Sequence, residues 1–323
     1  MSTNEPLSHV EAPPTSLSRG VLIEAILQFF AEQTTGVRDE MRLALEREID
    51  HAGAGALLAL TTRLNAELGW SYYERDPLAQ RIHHVLADRF VADGSGVEGL
   101  QQLAAVAGAP VVIAANHLSY ADANVVEVLL QRAGHAEYAN RLTALAGPKV
   151  FSTRVRRFSS LCFGTIKVPQ STGVASGEAV LSEREVARAA RQAINVAHDR
   201  MRAGDLLPMF AEGTRSRTAE MQPLLPAAAR YLDVPNTWVI PAGLVGPEAM
   251  FPIESSRLRR ARVSLHLGQP MRASTLLAAA GGDRKLVVDA IGLAIAEVLP
   301  PEYRGAYADA ARFDAAQQIR QQA

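Results

Sequence analysis

The stretch from Val111 to Leu130 constrains this chain most. It reads V-V-I-A-A-N-H-L-S-Y-A-D-A-N-V-V-E-V-L-L. Val111 to Ala115 is an uninterrupted apolar run with three β-branched residues, which fits a strand buried on both faces. The run stops at Asn116-His117. From Asp122 onward Val125, Val126, Leu129 and Leu130 recur at helical spacing. A histidine thus stands where a buried strand hands over to a helix, a common place for ligands in open α/β sheets. Asp122 follows five residues later, and one tight turn would bring its carboxylate to the imidazole. The same residues also read as a capping pattern, Ser119-x-x-Asp122, in which Asp122 is structural. On this stretch alone both readings stand.

A second stretch decides between them. Phe210-Ala211-Glu212-Gly213-Thr214-Arg215-Ser216-Arg217 follows the apolar run Leu206 to Phe210 and so also sits at a strand end. Gly213 lets the backbone turn sharply or approach a ligand. Arg215 and Arg217 are two apart, so an extended segment would point both the same way. Two guanidinium groups on one side of a turn suit a phosphate, which accepts bidentate hydrogen bonds from Arg.

Asn116-His117-Leu118-Ser119-Tyr120-Ala121-Asp122 resembles the N-H-x-S-x-x-D signature of the glycerolipid acyltransferases. Phe210 to Ser216 resembles their F-P-E-G-T-R-S signature, with Ala211 for proline, and Val239 to Leu244 resembles their later apolar-Pro block. The three keep order and spacing over roughly residues 100 to 250, a specific match by motif standards. Within that superfamily the chain is most similar to the soluble plastid-type glycerol-3-phosphate 1-O-acyltransferases. Arg215-Ser216-Arg217 resembles their Arg-x-Arg pair. Gly147-Pro148-Lys149-Val150, Phe158-Ser159 and the loop from Gly246 to Pro252 resemble further segments of theirs. One element departs. That group has a Lys-His pair after the strand matched by Thr165 to Val168, where this chain has Gln170-Ser171-Thr172. The Arg often found there in lysophosphatidate acyltransferases is missing too, which leaves the acceptor more open than the reaction.

Composition narrows the class. A chain of 323 residues, 48% apolar and 21% charged, can bury a substantial core. A formal net charge of −1 supplies no global field toward nucleic acid or an anionic membrane. Its one cysteine, Cys162, fits a reducing compartment and a buried, inert thiol between Leu161 and Phe163. No run reaches the length of a membrane span, and the N-terminus lacks the pattern of a signal peptide. The expected location is cytoplasmic, with peripheral contact at the inner membrane surface left open.

The expected fold is α/β: a mixed sheet covered by helices on both faces, with an N-terminal helical bundle. Residues 1–19 read as a disordered tail, 20–95 as the bundle and 96–323 as the α/β acyltransferase domain. The predicted bundle helices begin near Gly20, Val37, Ala56 and Leu78; His83 and His84, being adjacent, are not expected to hold a metal. Val97 to Val106 reads as a helix, Ser171 to Gly177 as a loop, Glu183 to Arg202 as a long amphipathic helix and Tyr303 to Gln318 as a late helix.

The expected function is transfer of a fatty acyl group from acyl-carrier protein or acyl-CoA to the 1-hydroxyl of glycerol 3-phosphate in phospholipid synthesis. His117 is the base and Asp122 its partner, with no cofactor, metal or covalent intermediate. Arg215 and Arg217 would hold the acceptor phosphate, with Glu212, Gly213, Thr214, Lys149 and Lys167 as further substrate-binding candidates. Glu212 would meet the acceptor's other hydroxyls or anchor Arg215, and backbone amides near Gly213 would meet the oxyanion. Arg154, Arg156 and Arg157 are either a solvated face or a contact for the donor's phosphopantetheine or an acidic carrier. The alternatives are another acceptor, such as lysophosphatidate, or a silent protein that binds phosphate or the carrier.

Overall fold

The computed structural model describes residues 18–66, 69–169, 182–253, 255 and 257–323, with only the backbone of 154 and 155. Most of the expected tail, the segment Gln170-Ser171-Thr172 and the expected loop from Ser171 to Gly177 lie outside the described residues.

The strands are Tyr72–Tyr73 (β1), Gly96–Glu98 (β2), Val111–Ala115 (β3), Thr143–Ala146 (β4), Gly164–Lys167 (β5), Leu206–Met209 (β6), Trp238–Val245 (β7), Ser264–Leu267 (β8) and Met271–Arg272 (β9). The main sheet runs β2-β8-β7-β3-β6, with β9 paired to β7, and a smaller one runs β1-β5-β4. β3 is parallel to both its neighbours, whereas β7 is antiparallel to β8 and β9. A bridge between Leu142 and Leu206 joins the small sheet to the large one.

The pleat turns successive side chains to opposite faces, and β3 uses both. Val111, Ile113 and Ala115 enter a core with Leu22, Leu45, Ile82 and Val125, from the helices Arg19–Leu27, Thr35–Asn65, Pro77–Phe90 and Asp122–Arg132. Val112 and Ala114 enter a second core with Ala193, Ala197 and Ile291, from Glu183–Arg202 and Arg284–Glu297. The mixed sheet therefore has helices on both faces, as expected. Glu183–Arg202 shows why: Ser182 and Glu185 close a capping box, and the buried Ala189, Ala193, Ala197 and Met201 fall every four residues on one side.

The N-terminal helices do not keep a core to themselves. Their buried residues share one cluster with β3, β7 and β8. Backbone bonds from Ala92 N to Ala261 O (2.9 Å) and Gly96 N to Val263 O (3.2 Å) tie the segment around residue 95 to the sheet. Two of the expected helices, near Val37 and Ala56, join as Thr35–Asn65, broken only at Gly53 (φ 82°, ψ 165°).

Two expectations of continuous helix fail. Val97 to Val106 splits into β2, which pairs with β8, and the short helix Gln101–Ala105. Gly99 separates them at φ 79°, where a Cβ would come 2.2 Å from Leu267 O. The late helix from Tyr303 breaks into short turns, and only Asp314–Arg320 is α-helical. Among the described residues no helix is long and apolar enough to cross a membrane.

Phe29 and Phe30 differ although they are neighbours. Phe30 is fully buried and meets Phe90 edge-on at 4.8 Å, whereas Phe29 is partly exposed and stacks on Phe251 at 6.5 Å. Phe30→Ala should therefore destabilise the fold by about 3–5 kcal/mol, measured by denaturant unfolding, and Phe29→Ala by clearly less. Equal losses in the two variants would contradict this packing.

Candidate active site

β3 ends in a pinned turn. The buried Asn116 side chain accepts from Leu244 N (2.8 Å) and donates to Leu244 O (3.0 Å), fixing the end of β3 against β7. The chain then turns through 117–121, and Asp122 opens the next helix.

The Asp122 carboxylate, 1% exposed, satisfies both readings of the motif. Its Oδ2 accepts from His117 Nδ1 (2.8 Å) and from Leu118 N (2.7 Å). Its Oδ1 accepts from Ser119 N (2.9 Å) and Ser119 Oγ (2.8 Å). Ser119 is not the helix cap: that place falls to Ala121, whose N–H is held by Ser119 Oγ at 3.0 Å. One carboxylate thus folds the turn and orients the ring. An ionised carboxylate only accepts, so the network assigns the neutral ring's proton to Nδ1 and leaves the Nε2 lone pair outward. Nε2 has no partner among the described residues, and the His117 side chain is 19% exposed. Phe210 stacks on the imidazole at 4.8 Å, a contact that motif spacing gave no sign of.

Glu212 holds this turn from behind. Its Oε1 accepts from His117 N and its Oε2 from Gln222 N, both at 2.8 Å. Both oxygens thus go to the main chain, in place of the acceptor hydroxyls or Arg215 expected from sequence. Burial pushes its carboxyl up to about 7, against the pull of the N–H groups of Gln222 and His117. A raised carboxyl pKa means that the native state binds more protons than the unfolded state between about pH 4.5 and 7. Stability should therefore fall as pH rises through that window, and Glu212→Gln should flatten the slope. Urea titrations at several pH values check this; an unaltered slope in the variant would contradict it.

Gly213 makes the turn at φ 72°, where a Cβ would lie 2.4 Å from Leu225 Cδ1. Its N–H donates to Phe210 O (3.1 Å), so of the amides expected near here to meet the oxyanion this one is committed within the turn. Ser216 N donates to His117 O at 2.8 Å and joins the two motifs directly. The N–H groups of Thr214 and Arg215, between these two, have no partner among the described residues.

The two arginines that spacing put side by side differ in their surroundings. Arg215 lies over the Tyr120 ring at 3.5 Å, within the histidine turn, while Arg217 is exposed and without a partner among the described residues. Arg156 approaches the same ring at 5.2 Å and donates to Lys149 O at 3.3 Å, which brings the Lys149 backbone into this neighbourhood. The Lys167 ammonium lies over Trp70 at 4.7 Å and Phe151 at 5.7 Å. Arg157 donates to the carbonyls of Phe151, Leu64 and Ala66, a structural use.

Beside the turn opens a largely apolar cavity with about 990 Å³ of unfilled space, its mouth included. Tyr120, Ala121 and Arg156 border it, and Phe29, Phe90, Val125, Val128 and Phe158 line it. These residues come from three separate helices and two turns, at Phe29 and at 120–121, and no local motif marks them. Cys162 lies there too, its thiol pushed well above the usual range by burial.

Comparison with known proteins bears on this segment. Residues 95–245 match the family model described as Acyltransferase. No curated protein sequence matches the chain. Among solved structures the fold is similar to the 1-acyl-sn-glycerophosphate (LPA) acyltransferase PlsC from Thermotoga maritima, at 13% identity over 87% of this chain and 97% of that one, with a TM-score of 0.47. The matched segment runs from β2 to the end of β7 and contains both His117 and Asp122.

Proposed function

We propose that the chain transfers a fatty acyl group from a thioester, on acyl-carrier protein or coenzyme A, to the 1-hydroxyl of glycerol 3-phosphate. The observation that carries the proposal is the His117–Asp122 pair at 2.8 Å, in a turn whose Tyr120 borders an apolar cavity and lies under Arg215. The cavity would take the acyl chain, and the cationic side of the turn a small phosphorylated alcohol.

His117 Nε2 removes the proton from the acceptor hydroxyl as its oxygen attacks the thioester carbonyl. The C–O bond forms, the tetrahedral intermediate carries the negative charge on the former carbonyl oxygen, and the C–S bond then breaks. The leaving thiolate takes the proton back from the imidazolium. Asp122 stabilises that imidazolium through Nδ1–H, as in a triad that lacks an enzyme nucleophile. A positioned base of this kind is worth about 10²–10⁴ in rate. The open N–H groups of Thr214 and Arg215 are the candidates to meet the oxyanion, preorganised by the bonds on either side of them.

Arg215 would hold the acceptor phosphate, with Arg217 and Lys149 contributing from farther out. Arg215→Ala should raise the acceptor KM about tenfold or more and leave the donor KM unchanged, since charge-assisted bonds are worth about 1.5–3 kcal/mol. An unchanged acceptor KM at saturating donor would remove Arg215 from that role.

An acceptor panel tests the proposal as a whole. With an acyl thioester, glycerol 3-phosphate should be esterified at its 1-position in preference to lysophosphatidate and glycerol. Preference for lysophosphatidate would move the assignment to the second acylation. No ester with any acceptor would favour a silent binding protein.

A further inference from the structure

The wall of the apolar cavity is interrupted by a small set of polar groups. His83, on the helix Pro77–Phe90, lines it although the residue is only 8% exposed. Its Nε2 faces Glu127 Oε2 at 3.2 Å, an ion-pair contact that stops short of a well-aligned hydrogen bond. Its Nδ1 has no partner among the described residues. The fully buried Glu127 is committed to others: His84 Nε2 meets its Oε1 at 2.9 Å, and Gln80 Nε2 donates to the same oxygen at 3.1 Å. Burial pushes the Glu127 carboxyl up, and the contacts with His83 and His84 overcome this and hold it at about 2. An anion therefore stands behind His83 and keeps the ring polar at the cavity wall.

Asn124 lines the same cavity, on the same helix as Glu127 and three residues before it. Its Oδ1 accepts from Ser159 Oγ at 2.8 Å, and Ser159 is also in the wall. The amide N–H₂ of Asn124 has no partner among the described residues. An unsubstituted hydrocarbon chain lying against these groups would shield them from water without pairing them, which weakens its binding there. Leucine or valine would fill the space without that cost.

We infer that the cavity selects acyl chains that carry a hydroxyl group along their length, with His83 and Asn124 as the groups that recognise it. A hydroxyl both donates and accepts, so it can meet a ring nitrogen in either protonation state and the amide N–H₂ as well. An unsubstituted chain can satisfy neither. The inference rests on the reading of the cavity as the acyl-chain site.

The test compares fatty acids of equal length, unsubstituted or hydroxylated at successive carbons, for displacement of a fluorescent fatty acid, and their thioesters as donors for transfer. At least one hydroxylated chain should bind about tenfold more tightly than its unsubstituted counterpart and be the better donor by a similar factor. His83→Leu and Asn124→Leu should each abolish or reverse that preference. Asn124 stands outside the buried Glu127 cluster, so its variant keeps the test decisive if His83→Leu does not fold. Equal binding of plain and hydroxylated chains by the parent, or a preference unmoved in a folded Asn124→Leu, would overturn the inference and leave acyl transfer standing. Selective binding without transfer from any thioester would support the selectivity and overturn the proposed reaction. A parent that binds no fatty acid would overturn the inference whatever its activity.

Discussion

Replacing His117 with alanine should lower acyl transfer by about 10²–10⁴ and leave the fold in place. The ring is partly covered, with 19% of its side chain exposed, and among the described residues it makes one side-chain hydrogen bond, to Asp122. Its backbone does the structural work, through N–H to Glu212 and C=O from Ser216 N. Alanine keeps both of those bonds. Unfolding should therefore shift little while kcat collapses, and donor binding should be retained. Circular dichroism melting beside initial rates at saturating substrates reads the two effects separately. A variant with most of its turnover would exclude His117 as the base.

Asp122→Asn should be harmful in two ways at once. The carboxylate accepts four hydrogen bonds, two on each oxygen. An amide offers one oxygen, so its N–H₂ must face donors on one side or the other. With each buried donor left unpaired costing about 1–3 kcal/mol, the variant should lose several kcal/mol of stability. It should also lose turnover, because an amide does not stabilise an imidazolium and can present the wrong ring tautomer. Lost stability alone therefore no longer separates the capping reading from the pairing reading. Ser119→Ala supplies the control, since it removes the Ser119 Oγ bonds and leaves the His117 contact. It should cost about 1 kcal/mol and retain most of the activity. Equal activity losses in Ser119→Ala and Asp122→Asn would reduce Asp122 to a structural role.

What could be seen in the sequence was whatever a short stretch encodes by itself. The run Val111 to Ala115 announced a doubly buried strand because every residue in it is apolar, and each of its faces does meet a core. The His117 and Asp122 spacing announced their contact because one turn closes it. Gly213 announced a turn, and its φ of 72° is that turn. What escaped depends on groups far apart in the chain. Glu212 looked like a ligand residue, yet its oxygens are taken by backbone groups of residues 117 and 222. Arg215 and Arg217 read as a pair from their spacing alone, which gave no sign that Arg215 would lie over Tyr120 while Arg217 is exposed. Adjacent His83 and His84 point differently, as adjacent helical residues do, but Glu127 on another helix lies within reach of both. The N-terminal helices read as a separate bundle because their periodicity shows which side is apolar, not what that side will pack against. No local signal marks the cavity, which exists only when the helices that wall it converge.

If His117 activates an acceptor for attack on a thioester, release of free thiol from acyl-CoA or acyl-carrier protein must depend on both the acceptor and the imidazole. Release followed with and without glycerol 3-phosphate should begin only when the acceptor is added, with one thiol freed for each ester formed. Thiol release that proceeds equally without acceptor, or that continues undiminished in folded His117→Ala, would contradict the account.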